Sequence, residues 1–332
     1  MKAIVLDGFG DVSHFRLAEL KDPVPGEEEL LIRIKAATFN PIDYQMRQGR
    51  REKHLLHSPV MGRELAGIVV AVGAAVQGFA PGDEVIAASG SRGSNGTYAE
   101  LMALSYKVVA HKPAGIAFAT AAAIPSSGLT ALQTFKRMQV QRDQTVFITG
   151  GAGGVGSFLI KLLKASGVDH IVSVAGSEES REALLTLGLT AAQIIDYRQE
   201  NWEEQVLAAN QGKPYDWAAE IVGGKSAEVA ASVLRVNGGY ADITFLGTEL
   251  ARELLFDKGC MVLNISNYAY GLANNLTWYG QSLQELSDLI RNGTIMPPAV
   301  REVGPLRVET VQEAHLLMEA NQTKGKKLVM TI

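Results

Sequence analysis

The feature that most constrains the fold is a glycine-rich turn that joins a strand-like run to a helix-like run. The run TVFIT (145–149) is rich in β-branched and aromatic residues and is followed by GGAGGVG (150–156). From residue 154 onward, apolar side chains recur at helical spacing, and the pattern ends at Gly167. The sequence therefore predicts a strand, a tight turn and a helix over residues 145–166.

The same alternation of strands and helices continues downstream. Further strands are predicted at 170–175, 193–196, 216–222 and 239–246, and helices at 154–166, 178–187, 201–211 and 226–236. Connections of this kind are right-handed crossovers, and they produce a parallel sheet with helices on both faces. We therefore predict an α/β fold with a doubly wound parallel sheet over residues 125–266.

The flanking segments predict a second, β-rich domain. Residues 1–124 contain short β-rich runs such as KAIVL, ELLIRIKAA and LAGIVVAVG between Gly and Pro turns, which favours an antiparallel, partly barrel-like domain. Residues 267–332 contain two predicted helices, near 281–291 and 309–320, and a closing strand, KKLVMTI. Because one strand cannot form its own sheet, we expect 267–332 to join 1–124 in one domain.

Composition excludes several classes of function. The 332 residues include 31 basic and 35 acidic side chains, so no net positive charge favours nucleic acid or anionic lipid. The longest uncharged apolar run, 65–76, is too short to span a bilayer, and Asp7 interrupts any signal-peptide core. The single cysteine, Cys260, excludes an intrachain disulfide and a cysteine-rich zinc site. We expect a cytoplasmic protein whose ligand is a small molecule, with no nucleic-acid or membrane partner.

The glycine-rich turn also predicts a ligand. Gly151, Gly153 and Gly156 form G-x-G-x-x-G between a strand and a helix, the context in which this pattern binds a dinucleotide. We expect Gly151 to make the tight turn, Gly153 to let backbone amides approach a pyrophosphate, and Gly156 to allow close packing of the helix. The helix N-terminus supplies N–H groups and positive potential for the phosphates.

The residues after the second strand favour NADPH over NADH. A cofactor with a free 2′-hydroxyl is usually held by Asp or Glu at this position, whereas the strand here ends in VAGS (174–177). Ser177, Ser180 and Arg181 offer hydroxyl donors and a guanidinium to a 2′-phosphate. Glu178 and Glu179 follow directly, but acidic residues at a helix start also complement the helix dipole.

A second cofactor motif overlaps the first. Residues 149–156 also match T-G-x-x-x-G-x-G, the motif of short-chain dehydrogenases. That family requires a Tyr-x-x-x-Lys downstream, and none of the nine tyrosines has Lys at that spacing. We therefore reject this assignment.

Taken together, the segments and motifs resemble the medium-chain dehydrogenase/reductase superfamily, whose members combine a GroES-like β-rich catalytic domain with a Rossmann domain. NPID (40–43) with RQG (47–49), GRELAG (62–67), GLTA (128–131) and IDYR (195–198) are similar to the zinc-free quinone oxidoreductase branch. That branch includes NADPH-dependent reductases of enals and enones, and the resemblance covers essentially the whole chain.

The resemblance implies roles for individual residues. Asn40 is similar to a residue that borders the nicotinamide ribose and the substrate, and Tyr44 to a tyrosine that relatives often place one residue later. The cofactor-binding residues that the motif, the fold logic and the resemblance together suggest are Thr130, Gly151, Gly153, Gly154, Val155, Gly156, Gly176, Ser177, Ser180, Arg181, Tyr197, Val222, Gly223, Phe245, Leu246 and Lys326.

The resemblance also separates this chain from the zinc alcohol dehydrogenases of the superfamily. Their catalytic metal needs a Cys near the N-P-x-D position and a His in a G-H-E motif, and here those positions are similar to Asn40 and Arg63. The segment SGSRGSNG (89–96) lacks the four cysteines of their structural zinc lobe. We therefore expect no metal, and transfer of a hydride from NADPH to a quinone or an activated enal or enone.

Two other functions stay open at this point. An enoyl-thioester reductase would need basic residues for a CoA or phosphopantetheine phosphate, and the candidates are Arg47, Arg50, Arg51 and Lys53. The chain could instead be an NADPH-binding structural or regulatory protein without turnover. In either case GCMVLNISNYAY (259–270) could pair with its copy across a two-fold axis, as in relatives, so we expect a homodimer.

Overall fold

A computed structural model describes residues 1–92 and 96–332 of the chain, which form two compact units. Unit 1 comprises residues 1–129 and 267–332, and unit 2 comprises residues 130–266. The division falls five residues after the predicted boundary, inside a helix. No helix among the described residues is long and apolar enough to cross a membrane. Three of the residues in the SGSRGSNG segment, 93–95, lie outside the described residues.

Strands and α-helices alternate over residues 146–264, whereas strands predominate over residues 1–111. The strands are β1 (Lys2–Leu6), β2 (Phe15–Glu19), β3 (Glu29–Thr38), β4 (Leu65–Val72), β5 (Glu84–Ala87), β6 (Leu101–Ser105), β7 (Val109–His111), β8 (Val146–Ile148), β9 (Ile171–Ala175), β10 (Ile194–Asp196), β11 (Tyr215–Glu220), β12 (Leu234–Asp242), β13 (Met261–Asn264), β14 (Val300–Pro305) and β15 (Lys327–Thr331). The α-helices are α1 (Pro41–Arg47), α2 (Phe118–Ala122), α3 (Pro125–Met138), α4 (Gly154–Ala165), α5 (Glu178–Thr186), α6 (Trp202–Ala209), α7 (Lys225–Ser232), α8 (Glu249–Asp257), α9 (Tyr268–Leu272), α10 (Thr277–Arg291) and α11 (Val308–Glu319).

Unit 2 contains the predicted doubly wound parallel sheet. Its strand order is β10-β9-β8-β11-β12-β13, and every neighbouring pair is parallel. The first strand of this unit, β8, lies at the centre of the sheet, and the chain continues through β9 and β10 to one edge before it crosses to β11 on the other side of β8. Ligands are expected at the carboxyl ends of the strands beside this crossover. The core between sheet and helices includes Phe147, Val206 and Tyr215, all fully buried.

One predicted helix of unit 2 is too long. The pattern predicted a helix over 226–236, whereas α7 ends at Ser232 and β12 begins at Leu234. Leu234 pairs with Tyr215 of β11, so residues whose apolar spacing predicted a helix belong to a strand of the sheet. Helix α8 and the bounds of β13 were not predicted.

Unit 1 contains a sheet whose pairs are antiparallel, as predicted, except for the parallel pair of β14 and β15, and the tail returns to it. The strand order is β14-β15-β3-β4-β5-β7, with β6 also on β3. Strand β15, the last of the chain, pairs with β3 in antiparallel register, with Val329 opposite Thr38. This pairing places Lys327, the first residue of β15, near the end of β3.

Candidate active site

The turn between β8 and α4 has the close packing that the glycine motif predicted. A Cβ on Gly156 would lie 2.4 Å from the carbonyl oxygen of Gly150, so the helix can approach the strand only with glycine there. Gly150 has a left-handed backbone in this turn, with φ of +62°, and a Cβ on Gly151, the predicted turn residue, would lie 2.2 Å from Ser173 Oγ. Gly153 caps α4, and its N–H donates to the Gly150 carbonyl at 3.0 Å.

The start of α4 can bind an anion. Gly154 and Val155 are its first two residues, and the first N–H groups of a helix have no acceptor within the helix. These groups and the positive end of the helix dipole favour a phosphate at this position. No acidic residue occurs in the first turn of α4 to compete for it.

The end of β9 lies under the ring of Tyr197. A Cβ on Gly176 would lie 2.2 Å from the Tyr197 hydroxyl oxygen, so the phenol rests directly on the strand end. Ser177 caps α5, and its Oγ accepts the Ser180 N–H at 3.2 Å and lies 3.1 Å from Ser180 Oγ. The structure therefore places Tyr197 against Gly176, next in the chain to Ser177, which contacts Ser180.

Two arginines border this group. The Nη1 of Arg181 donates to the Ile194 carbonyl at 3.4 Å, which leaves much of the guanidinium available. Arg198 is held in a fork against Asp196, with distances of 2.9 and 2.7 Å. Hydrogen bonds from Arg198 lower the pKa of Asp196 to about 2, and the ion pair offsets the negative charge nearest Tyr197.

The loops after β11 and β12 meet at the same edge of the sheet. Gly223 lies against Leu246, and the N–H of Gly224 donates to the Leu246 carbonyl at 3.0 Å. Val222 and Phe245 are 49% and 60% exposed there. Apolar surface at the carboxyl edge of a parallel sheet can contact a flat ring.

Glu220, which no motif in the sequence indicated, shapes the loop after β11. Its carboxylate is fully buried, and Oε1 accepts the N–H groups of Val222 at 2.7 Å and Gly223 at 2.6 Å. The hydroxyls of Thr149 and Thr244 also donate to this carboxylate, at 3.1 and 3.2 Å. A buried carboxylate with four donors fixes the backbone of the loop.

In unit 1, Asn40 lies at the centre of a buried polar cluster between the end of β3 and the start of α1. Its Nδ2 donates to Glu64 Oε1 at 2.8 Å, and its Oδ1 accepts from Lys327 Nζ at 2.5 Å. Lys327 Nζ also lies 2.8 Å from Glu64 Oε1 and 3.1 Å from Ser127 Oγ. Thr38 donates its hydroxyl to the same carboxylate. We call Thr38, Asn40, Glu64, Ser127 and Lys327 the Asn40 cluster.

The charges in the Asn40 cluster are stabilised within it. Burial acts to raise the pKa of Glu64, but the Lys327 ammonium and the hydrogen bonds from Thr38 and the Ser126 N–H outweigh it, so the pKa is lowered. Glu64 is therefore a carboxylate at neutral pH.

A second buried carboxyl lies beside the cluster. Asp43 is fully buried and accepts the backbone N–H of Asn40 at 2.8 Å. Burial raises the pKa of Asp43 to about 6, although the nearby Arg63 guanidinium acts in the opposite direction. Arg63 donates to the Gly90 carbonyl at 3.0 Å.

Three further predicted residues are Tyr44 and Lys326 of unit 1 and Thr130 of unit 2. Tyr44 is half-buried on α1, with the Arg50 guanidinium carbon 5.8 Å from its ring centroid. Lys326 is exposed, and it is the next residue, Lys327, that contacts Asn40. Thr130, the first residue of unit 2, is half-buried on α3 and its carbonyl accepts from Thr134.

The basic residues proposed for a thioester phosphate do not form one exposed group. Arg47 is 1% exposed, forms an ion pair with Glu319 and donates to the Gly10 carbonyl, so its charge is neutralised within unit 1. Arg50 and Lys53 are exposed, and the side chain of Arg51 lies outside the described residues. The prediction that Arg47 is available to a phosphate is wrong, because the tail helix α11 covers it.

Comparison with known proteins gives matches along most of the chain. The alcohol dehydrogenase GroES-like domain family matches residues 26–130, and the zinc-binding dehydrogenase family matches residues 189–329. An NADPH-dependent alkenal/one oxidoreductase of Arabidopsis thaliana chloroplasts is 30% identical, over all of this chain and 80% of the relative. A mitochondrial NAD(P)H oxidoreductase of Bos taurus, RTN4IP1, is 28% identical to this chain, and the match covers all of this chain and 89% of the relative.

A solved structure shares the whole architecture. The quinone oxidoreductase of Escherichia coli, determined in complex with NADPH, superposes with a TM-score of 0.85 at 25% identity and covers all of both chains. The Arabidopsis relative is named as chloroplastic and the Bos taurus relative as mitochondrial, so the cytoplasmic location stays a prediction.

Although one matching family is described as zinc-binding, the residues of unit 1 do not fit a catalytic zinc ion. The amide oxygen of Asn40 accepts from Lys327, and the Arg63 guanidinium, next to Glu64, would repel a metal cation. Within residues 1–92 and 96–332, no group of three or more His, Cys, Asp or Glu side chains is placed to hold a metal.

Proposed function

The chain belongs to the medium-chain dehydrogenase/reductase superfamily, together with its quinone oxidoreductases and alkenal reductases, and we propose that it transfers a hydride from NADPH to an activated enal, enone or quinone. The observation that carries this proposal is the glycine turn at the start of α4, followed along the same sheet edge by a subsite in which Ser177 and Ser180 precede Arg181 and the Asp196 carboxylate is paired with Arg198. The Arabidopsis and Escherichia coli relatives are named for NADPH and for these two classes of substrate.

The residues of unit 2 fit the cofactor. The N–H groups at the start of α4, at Gly154 and Val155, would hold the pyrophosphate, and Gly156 lets the helix approach closely enough to present them. Val222, Gly223, Phe245 and Leu246 would border the nicotinamide end, because they follow the strands that succeed the glycine turn in the sheet. When bound, NADPH supplies the hydride.

The 2′-phosphate would lie among Ser177, Ser180, Arg181 and Tyr197. Arg181 supplies a guanidinium and the two serines supply hydroxyls. The Asp196 carboxylate is paired with Arg198, and Glu178 and Glu179 are exposed in the first turn of α5. A charge-assisted hydrogen bond contributes about 1.5–3 kcal/mol, or roughly tenfold to hundredfold in affinity. We therefore expect NADPH to bind more tightly than NADH.

On the substrate side, the reaction needs a hydrogen-bond donor more than it needs a strong acid. Addition of hydride to the β-carbon of an enone moves negative charge to the carbonyl oxygen, and a quinone forms a phenolate in the same way. The Nδ2 of Asn40 has one hydrogen besides the one given to Glu64, and it can donate to that oxygen. A proton from solvent then completes the reduction. Tyr44 is the second candidate donor.

The proposed function is tested with the purified chain and NADPH. We would offer 1,2-naphthoquinone, a 2-alkenal and crotonyl-CoA in parallel and follow the loss of nicotinamide absorbance. Turnover of the quinone or the alkenal supports the proposal. Tight NADPH binding without turnover would indicate a structural or regulatory role, and a preference for crotonyl-CoA would indicate an enoyl-thioester reductase. The burial of Arg47 disfavours the thioester.

We also propose that two copies associate through β13. Among the strands of residues 1–92 and 96–332, this one pairs only with β12, and Met261 and Val262 are 51% and 43% exposed. An unpaired edge with apolar side chains favours addition of a strand from a second copy. Light scattering after size exclusion should give the mass of a dimer, and Val262→Lys should shift it toward the monomer. A monomeric wild-type chain at micromolar concentration would exclude this interface.

A further inference from the structure

The amide of Asn40 is held in one orientation by two charged partners. Lys327 can only donate hydrogen bonds, so the atom 2.5 Å from its Nζ must be the amide oxygen. The Glu64 carboxylate can only accept, so the atom 2.8 Å from its Oε1 must be the amide nitrogen. If the amide rotated by half a turn, its nitrogen would face the Lys327 ammonium and its oxygen would face the Glu64 carboxylate, so both hydrogen bonds would be lost.

The main chain at Asn40 is fixed as well. Its N–H donates to the buried Asp43 carboxyl, and Asn40 itself is 8% exposed. The side chain therefore has neither backbone nor amide freedom, and the direction of its second Nδ2 hydrogen is determined by the cluster.

Folding stability alone does not explain the Glu64–Lys327 ion pair that holds the Asn40 amide. The side chains of Glu64 and Lys327 are 0% and 8% exposed, and removing two charges from water costs about as much free energy as their attraction returns. Replacement of such a pair by apolar residues is often neutral for folding. The chain nevertheless joins β15, its last strand, to the N-terminal sheet at this point through charged groups.

We infer that Glu64 and Lys327 are positioning residues, whose ion pair orients the Asn40 amide so that its second Nδ2 hydrogen is presented to the carbonyl oxygen of the enone or quinone. This inference rests on the proposed function. In the step it serves, the hydride and its electron pair pass from NADPH to the acceptor, the acceptor oxygen gains the negative charge, and solvent later supplies one proton. NADPH is oxidised by two electrons and the acceptor is reduced by two.

Lys327→Met tests the role of the cation, because methionine has a similar length and no donor. With Lys327 gone, the Asn40 oxygen loses its partner and the amide can rotate. We expect kcat to fall by at least about tenfold, since a donor aimed at a developing oxyanion is worth about a hundredfold or more. The dissociation constant of NADPH should change by less than about threefold. Lys327→Arg keeps a cation with several donors and should recover most of kcat.

A pH profile separates positioning from a general structural effect. In the wild-type chain Lys327 keeps the pKa of Glu64 low, so kcat/KM should show no Glu64 titration near neutral pH. Without the cation, burial raises the pKa of Glu64, and Lys327→Met should gain a new ionisation in kcat/KM toward neutral pH. Lys107→Met is the matched control, because Lys107 forms a surface ion pair with Glu28 at 2.8 Å in the same unit. It should leave kcat and the profile unchanged.

The double variant Glu64→Gln/Lys327→Met covers the case in which the single variant unfolds. It removes both charges, so we expect a thermal midpoint close to that of the wild type but a kcat still reduced by at least about tenfold. A double variant with wild-type kcat would overturn the inference, as would a Lys327→Met defect confined to NADPH affinity. If the wild-type chain reduces no enone or quinone, the proposed function fails and this inference with it. If the wild type turns over and Lys327→Met keeps its kcat, the positioning role alone fails.

Discussion

The phenol of Tyr197 occupies the space directly over Gly176, where a Cβ would lie 2.2 Å from the tyrosine hydroxyl oxygen. Gly176→Ala must therefore displace the ring from the end of β9. Because Tyr197 lies beside the proposed 2′-phosphate subsite, we expect this variant to weaken NADPH binding by about tenfold. NADH binding should change much less. Isothermal titration calorimetry with both nucleotides measures the two changes.

Gly26→Ala is the control for this substitution. A Cβ at Gly26 would meet Glu29 at 3.4 Å, an ordinary contact, and the residue lies in unit 1. It should leave both affinities unchanged. Equal losses for NADPH and NADH in Gly176→Ala would contradict the position assigned to the 2′-phosphate.

Arg181 should be the main cationic contact of the 2′-phosphate. We expect Arg181→Ala to raise the dissociation constant of NADPH roughly tenfold to hundredfold, because a charge-assisted hydrogen bond is lost. The constant for NADH should stay within about twofold, so the preference between the nucleotides should shrink. Arg142→Ala, which also removes an arginine that donates to a backbone carbonyl of unit 2, should change neither constant. An unaltered NADPH preference in Arg181→Ala would assign the phosphate to other residues.

His315 makes the fold sensitive to acid. It is fully buried, its ring lies 4.9 Å from Phe15 and 6.0 Å from Phe39, and burial, together with the charge of Arg47, lowers its pKa to about 3. In the unfolded chain a histidine binds its proton near pH 6.5. Between these two values only the unfolded state is protonated, so the free energy of unfolding falls as the pH falls.

The variant His315→Phe isolates this contribution. As the pH falls from about 6.5 toward about 3, the wild type should lose up to about 1.4 kcal/mol per pH unit more than the variant. The raised pKa of Asp43 acts in the opposite sense over part of this range, but it is present in both proteins and cancels in the difference. Urea unfolding of both proteins at several pH values measures this difference in the free energy of unfolding. Parallel curves for the two proteins would show that His315 is protonated in the folded chain.

The cofactor half of the site could be predicted from the sequence because its signals are local. The glycine turn, the absence of Asp or Glu at 174–177 and the serines that follow all lie within a strand, a turn and a helix start. The structure places Gly176, Ser177 and Tyr197 together at the carboxyl ends of β9 and β10, as parallel-sheet geometry requires.

The Asn40 cluster could not be predicted in this way. Its members come from four separate segments of unit 1. Glu and Lys side chains are usually exposed on protein surfaces, so their residue types alone do not mark Glu64 and Lys327 as buried. The resemblance indicated Lys326 as a cofactor-binding residue, and no local pattern indicated that the next residue, Lys327, contacts Asn40. That contact depends on the antiparallel pairing of β15 with β3, which brings together residues far apart in the chain.

The central claim is that a hydride moves from NADPH bound at the glycine turn to a conjugated carbonyl compound. The most direct measurement is to supply NADPH that carries deuterium at the transferable C4 position, together with a 2-alkenal, and to locate the label in the product by NMR. The account predicts one deuterium at the β-carbon of the saturated aldehyde and none at the α-carbon, whose proton comes from solvent. A product without label at the β-carbon, or a chain that binds NADPH and forms no reduced product with the alkenal or with a quinone, would contradict it.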